Sequence, residues 1–366
     1  MNLEAILKIV VEKNASDLFI TVGVPPSIKV NGEIIPLDHE KLSPEASHDM
    51  VRGSMTDKQI QEFEQTHECN YALSKHGVGR FRVSAFIQRN TPGMVLRRIE
   101  TVIPSLSDLK LPPILQNISQ SKRGLVIIVG ATGSGKSSSM AAMIDHRNRS
   151  TSGHIITIED PIEFIHNNAK SIVTQREVGL DTDSFEIALK NTLRQAPDVI
   201  LIGEIRSRET MEHAIAFAET GHLCLATLHA NNANQTLDRI VNFFPAERHK
   251  QLFLDLSLNL RAIVAQQLIP TKDQTGRIPC IELLLNSPLA QERIREGKVD
   301  LLKEVMKKSE KQGMKTFDSH LFELYANGLI SYEDAIHHAD SSNEVRLRIK
   351  LATSGGVQQR NGLSLS

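Results

Sequence analysis

The chain contains no tryptophan, three tyrosines and three cysteines, and its 366 residues carry no surplus of either charge, 42 Lys+Arg standing against 43 Asp+Glu. Each scarcity excludes something. With so few flat rings there is little on which single-stranded bases stack, and without a polycationic excess there is no field to hold nucleic acid non-specifically. Cys69, Cys224 and Cys280 lie far apart and form no C-x-x-C pair, which speaks against a disulfide framework and a cysteine-rich zinc site and suits a reducing cytosol. Apolar runs such as Leu125-Val126-Ile127-Ile128-Val129 fall well short of the roughly 20 residues of a membrane-crossing helix, and the first residues lack the pattern of a secretion signal. The expectation is a soluble protein, with no direct membrane insertion and no nucleic-acid partner.

What is present reads as two or three domains at roughly 150 residues each, with 40% hydrophobic residues to build their cores. Leu3, Ile6, Leu7, Val10 and Val11 have helical spacing, and Leu18–Val22 then reads as a strand. Asn31-Gly32 between alternating segments predicts a hairpin over 27–35. Gly79–Phe86 alternates with period two and is expected to pair with Met94–Ile99 across a turn at Thr91-Pro92-Gly93. Residues 1–100 thus read as a small α+β domain, and prolines 104, 112 and 113 mark 101–121 as a linker with one or two short helical pieces. From 122 to 285, apolar runs at 125–129, 154–158, 199–202 and 223–228 alternate with helical segments, the pattern of an α/β core with a mostly parallel sheet covered on both faces. Residues 286–350 read as helical, and 351–366 as a disordered tail rich in Gly, Gln and Ser.

Gly130-Ala131-Thr132-Gly133-Ser134-Gly135-Lys136-Ser137 matches G-x-x-x-x-G-K-[ST], directly after an apolar strand and before a helix-compatible stretch opening with Ser138. The glycines let successive N–H groups turn inward around phosphates, Lys136 reaches the β and γ phosphates, and Ser137 offers a hydroxyl to Mg²⁺. ATP and Mg²⁺ are therefore the expected ligands.

Acidic groups follow at the carboxyl ends of strands, where open α/β sheets bind ligands. His154–Ile158 delivers Glu159 and, past Pro161, Glu163, either of which suits orientation or deprotonation of an attacking water. Val199–Ile202 delivers Glu204, where P-loop enzymes usually place the metal-side Asp. The run between His222 and His229 puts the two imidazoles about 23 Å apart, too far to share a metal or a proton. His229 falls at the carboxyl end, suited to sensing a γ-phosphate, while His222 reads as structural or as an interface residue. Arg80, Arg82, Arg97 and Arg98 lie on first-domain strands and in isolation read as solvated charges, promoted to catalysis only if subunits form a ring.

In sequence order, GATGSGKS, IEDPIEF, DVILIGEIR and AETGHLCLATLHA resemble the secretion-superfamily ATPases that power type IV pili, and the resemblance runs from residue 1 to about 350. Within them the chain is similar to the PilT/PilU family of retraction ATPases, and most of all to its accessory motors, through SDLFITVGVPPSIKVNG, GRFRVSAFIQRN and QREVGLDTDSFEIALKNTLRQAPDVI. Where the principal retraction motors carry AIRNLIRE, Leu289–Glu296 matches only the last three positions. Assembly motors carry a larger N-terminal region and a tetracysteine zinc site, which this length and these cysteines do not fit. The resemblance implies a PAS-like first domain, a RecA-like P-loop core and a homohexamer. It further implies a peripheral place on the cytoplasmic face of the inner membrane, with a PilT-like ATPase and a pilus platform protein as partners. It assigns catalysis to Glu163, with Glu159 beside it, an atypical Walker B role to Glu204, His-box positions to His222 and His229, and trans-acting charges to Arg80, Arg82 and Arg97. Two alternatives stand against a retraction ATPase: a weakly catalytic or non-catalytic partner that docks on another motor ring, and, more remotely, a nucleic-acid translocase.

Overall fold

The computed structural model describes residues 2–30, 32–99 and 102–360. Contacts divide the chain into two units, Met1–Val102 with Glu163–Ile165, and Ile103–Ile162 with His166–Ser366.

The first unit runs α1 (Leu3–Glu12), β1 (Asp17–Ile20), β2 (Ser27–Val30), β3 (Glu33–Pro36), α2 (Pro44–Gly53), α3 (Asp57–Thr66), β4 (Glu68–Lys75), β5 (Gly79–Gln88) and β6 (Thr91–Ile99). Its six strands form one antiparallel sheet in the order β3-β2-β1-β6-β5-β4. The β2–β3 hairpin closes as its dipeptide demands, with Val30 opposite Glu33 and Gly32 at φ 90°, while Asn31 lies outside the described residues. The β5–β6 hairpin turns elsewhere than the sequence predicts. Its two loop residues are Arg89 and Asn90, at φ 47° and 62°, the doubly positive pair that matches strand twist. Pro92 and Gly93 sit inside β6, beyond its last β1 pair, Ile20 with Met94.

The second unit runs α4 (Ile114–Ser119), β7 (Gly124–Val129), α5 (Lys136–Ser150), β8 (Gly153–Glu159), β9 (Ser171–Glu177), α6 (Phe185–Thr192), β10 (Val199–Ile202), α7 (Arg208–Glu219), β11 (Leu223–Leu228), α8 (Ala233–Asn242), α9 (His249–Asn259), β12 (Leu260–Pro270), β13 (Arg277–Leu285) and then α10 (Pro288–Arg295), α11 (Leu302–Lys308), α12 (Phe317–Ala326), α13 (Tyr332–His337) and α14 (Ser342–Arg360). Its sheet has the order β13-β12-β7-β11-β10-β8-β9, parallel except where β13 joins antiparallel to β12. Every residue of β7, β10 and β11 is buried because both faces are covered. Alternation sends Leu125, Ile127 and Val129 into a core shared with Met211 and Leu237, and Val126 and Ile128 into one shared with Met143 and Ile144.

Two sequence expectations change. The linker 103–121 carries its short helix, α4, and is packed as well: Leu106, Leu111, Leu115 and Ile118 are buried in that second core, so the prolines break helices without detaching the segment. Nor does regular structure stop at 350, since α14 continues to Arg360. Val345 and Ile349 anchor its first turns, and an existing helix extends at little cost where no proline intervenes. Residues 361–366 lie outside the described set.

Candidate nucleotide site

The phosphate-binding motif occupies the turn from β7 into α5. Gly135 is the N-cap of α5, at φ 87° and with no side chain capping the helix, so the first amides of α5, at Lys136, Ser137 and Ser138, face outward with the positive end of the helix behind them. The loop is pressed against β12. Gln266, 3% exposed, donates from Nε2 to the Ser134 carbonyl at 2.8 Å and accepts from Ser139 Oγ at 2.7 Å. A Cβ on Gly130 would collide with the Gln266 carbonyl and Ser134 Oγ, and one on Gly135 would stand 2.8 Å from Gln266 Nε2. Glycine at these two positions is a steric requirement of the cradle. Ser134 Oγ is buried and has no hydrogen-bond partner among the described residues. Lys136 Nζ donates to the carbonyls of Gly130 and Ala131 at 2.7 and 3.0 Å. Burial pulls its ammonium below the ordinary lysine range, with Glu204 opposing that shift.

The parallel register brings the ends of four strands to one edge. Glu159 closes β8, accepting from Thr157 Oγ1 at 2.6 Å and Gln175 Nε2 at 3.3 Å. Glu204 follows β10 and His229 follows β11, and His229 Nε2 donates to Glu204 Oε1 at 2.9 Å. The other Glu204 oxygen accepts from Arg206, Nη2 at 2.6 Å and Nε at 2.8 Å, while Arg206 Nη1 reaches Asp160 at 3.4 Å. His222 stands at the opposite end of β11, its Nδ1 3.0 Å from Thr220 Oγ1. A cavity of about 360 Å³ is lined by Gly130, Ala131, His229, Asn231, Gln235 and Arg239. A roomier cleft of about 440 Å³ near Glu212 and Phe244 lacks these converging groups, so chemistry rather than volume locates the site.

Glu163 belongs with the first unit, where Arg82 Nη2 donates to its Oε1 at 3.0 Å. Arg80 and Arg82 share one face of β5, and Arg82 lies opposite Arg97 on β6. That like-charge pair is compensated on both sides, because Arg97 Nε donates to the buried Asp17 at 2.9 Å.

Gln266, Arg206 and Asp160 escaped the sequence reading. Arg206 stands two residues beyond Glu204 and was within reach of the motif. Gln266 carries no local signal at all.

Residues 2–319 match the family model for type II/IV secretion system proteins. The chain is 63% identical over 364 residues to the type IV pilus ATPase PilU of Pseudomonas aeruginosa, covering 100% of this chain and 95% of that protein. It is 40% identical over 335 residues to the type IV pilus retraction ATPase PilT of the same organism, covering 92% and 97%. A crystal structure of the pilus retraction motor PilT with bound ADP superposes with a TM-score of 0.88 at 40% identity, over 94% of this chain and 98% of that one. The ATPase DotB of Legionella pneumophila superposes at 0.79 with 26% identity, covering 91% and 93%. The P-loop unit has the RecA-like architecture of these secretion ATPases, followed by a helical C-terminal region.

Proposed function

Because the chain belongs to the family of type II/IV secretion system proteins, we propose that it hydrolyses Mg-ATP to drive retraction of type IV pili. It does so as a hexameric accessory motor beside a PilT-like ATPase, on a platform protein at the cytoplasmic face of the inner membrane. Full-length similarity to PilU and PilT supports the pilus role, and among the described residues no helix is long and apolar enough to cross a membrane.

The observation that carries the catalytic reading is the glycine cradle pressed on Gln266, with outward amides and an orphaned Ser134 hydroxyl inside it. These groups fit a polyphosphate. In this reading the amides of residues 133–138 hold the phosphates, with Gly130 and Thr132 shaping the loop. Lys136 leaves the Gly130 and Ala131 carbonyls for phosphate oxygens. Ser137 and Glu204 are hard oxygen donors that would hold Mg²⁺, and the ion would neutralise charge on the phosphates. Glu163 activates water, Glu159 is a second acid suited to that task, and His229, hydrogen-bonded to Glu204, senses the γ-phosphate. Arg80, Arg82 and Arg97 supply positive charge to a neighbouring subunit's phosphates, which for Arg82 requires release of Glu163.

Lys136→Ala should abolish nucleotide binding and turnover, whereas Glu163→Gln should keep binding and lose hydrolysis by about 10²–10⁴-fold. Unaltered turnover by purified Glu163→Gln protein would remove that carboxylate from the mechanism.

A further inference from the structure

The cavity of about 360 Å³ beside the P-loop has two unlike walls. Gly130 and Ala131 belong to the first, together with His229. The carbonyls of those two loop residues hold Lys136 Nζ at 2.7 and 3.0 Å, so the cavity abuts the part of the loop on which the lysine for the terminal phosphates rests. The second wall is α8. Ala233, Thr236, Leu237 and Ile240 are buried on one side of that helix, and Gln235, Asp238, Arg239 and Asn242, at helical spacing on the other, line the cavity. A surface helix carries polar residues on its outer side by default, but here that side shares an enclosed space with the P-loop.

The donors on the helical wall are uncommitted. Arg239 makes no hydrogen bond or ion pair among the described residues. Gln235 Oε1 accepts the amide N–H of Asn231 at 3.3 Å, which occupies the oxygen and leaves Nε2 as a donor without an acceptor among the described residues. One carboxylate, Asp238, stands among these donors and sets one negative charge against the guanidinium. A guanidinium fork with an amide donor on its own face of the helix suits a tetrahedral oxyanion, and the nearby carboxylate keeps the hold weak.

We propose that this cavity is a second anion site, in which Arg239 and Gln235 receive the inorganic phosphate freed from the nucleotide before it leaves the protein. Hydrolysis leaves a free phosphate at the far end of the nucleotide, and the cavity is the space bounded by the loop residues at that end. The P-loop holds its ligand with a ring of amides and a lysine, whereas the α8 wall offers one cation offset by one carboxylate. A strong site beside a weak one gives the product a step down the path out without trapping it.

The proposal rests on the nucleotide reading of the P-loop, and the test separates the two. The full chain, saturated with Mg-ADP so that the P-loop is filled, is dialysed against radiolabelled orthophosphate at fixed ionic strength. Wild type should take up phosphate with a Kd of about 1–10 mM, the range of a single charge-assisted contact. Arg239→Gln should weaken that uptake about tenfold, and Arg239→Lys should regain part of it by keeping the charge without the fork. Asp238→Asn should act in the opposite direction, tightening uptake about threefold, and it keeps the test decisive if Arg239→Gln fails to fold. Mg-ADP bound by a wild-type chain that takes up no phosphate overturns the site. So does equal uptake by wild type, Arg239→Gln and Asp238→Asn, or phosphate that displaces Mg-ADP and thereby shows itself in the P-loop. A chain that binds no Mg-ADP overturns the nucleotide reading, and the phosphate site with it.

Discussion

Among the described residues, the first unit buries Asp17, Ser27 and Ser47 as its polar side chains, whereas the second buries Gln266, Glu282, Asp318, His166, His320 and Arg147 among others. The first unit is held by strand pairing and an apolar core around Leu18, Phe81 and Leu96. In the second, buried polar groups tie backbone ends that the parallel sheet leaves open. Gln266 braces the P-loop, Glu282 accepts the first amide of α8, and Asp318 accepts the amides of Asp340 and Ser341. Such ties are expensive when broken, because a desolvated partner is left behind, and so they hold geometry more sharply than an apolar contact of equal size. A loop shaped like the proposed phosphate cradle needs that sharpness, and an apolar sheet core alone does not supply it.

The comparison breaks most visibly through large cuts in each unit. Phe81→Ala removes a fully buried ring from the first unit and should cost about 3–5 kcal/mol, seen as a lower denaturant midpoint, with Mg-ADP affinity held within about twofold. Gln266→Leu should do the reverse. It keeps volume but strands the Ser134 carbonyl and the Ser139 hydroxyl, costing about 2 kcal/mol in stability and weakening Mg-ADP binding about tenfold. If Phe81→Ala weakened nucleotide binding as much as Gln266→Leu, the division between apolar core and polar brace would be wrong.

How much was legible in the sequence follows from distance along the chain. The P-loop declares itself within eight residues, and strands 199–202 and 223–228 stand as predicted because a central parallel strand is an unbroken apolar run. The retraction-ATPase family was legible through four motifs in order, and full-length relatives bear it out. Gln266 meets Ser134 across 132 positions, and neither end of that bond carries a pattern. The β9 edge strand was missed because its residues 172–176 are only partly covered and show no alternation. The β5–β6 turn was misplaced by reading Pro-Gly as punctuation when Arg89 and Asn90 took the positive φ values themselves. Glu163 stands in the IEDPIEF motif, yet its pairing with Arg82, 81 positions away, belongs to tertiary structure.

The smallest expected effect sharpens the same contrast through acid. His320 Nδ1 accepts the Ile281 amide and must stay unprotonated to do so, and burial lowers its pKa to about 4 from 6.5. His166 is likewise lowered to about 4 by burial. A depressed histidine is neutral in the folded chain while the unfolded chain takes up a proton, so stability is lost as pH falls from 6.5 toward 4, at up to about 1.4 kcal/mol per pH unit for each. Glu282 has the opposite sign: raised to about 7 from 4.5, it holds in the folded state a proton that the unfolded chain releases, so its contribution grows as pH falls through that window and offsets one histidine. The net acid slope of these three groups between pH 6.5 and 4.5 is then that of about one histidine. The buried phenol of the first unit, Tyr71, is pushed up to about 12 by desolvation and responds only to alkali. His320→Asn keeps an acceptor for Ile281 and removes the titration, so its urea midpoint should fall less than that of wild type between pH 6.5 and 5, by about 1–2 kcal/mol in unfolding free energy. Equal losses in the two proteins would mean that the acid sensitivity resides elsewhere and that the Ile281 bond does not require a neutral ring.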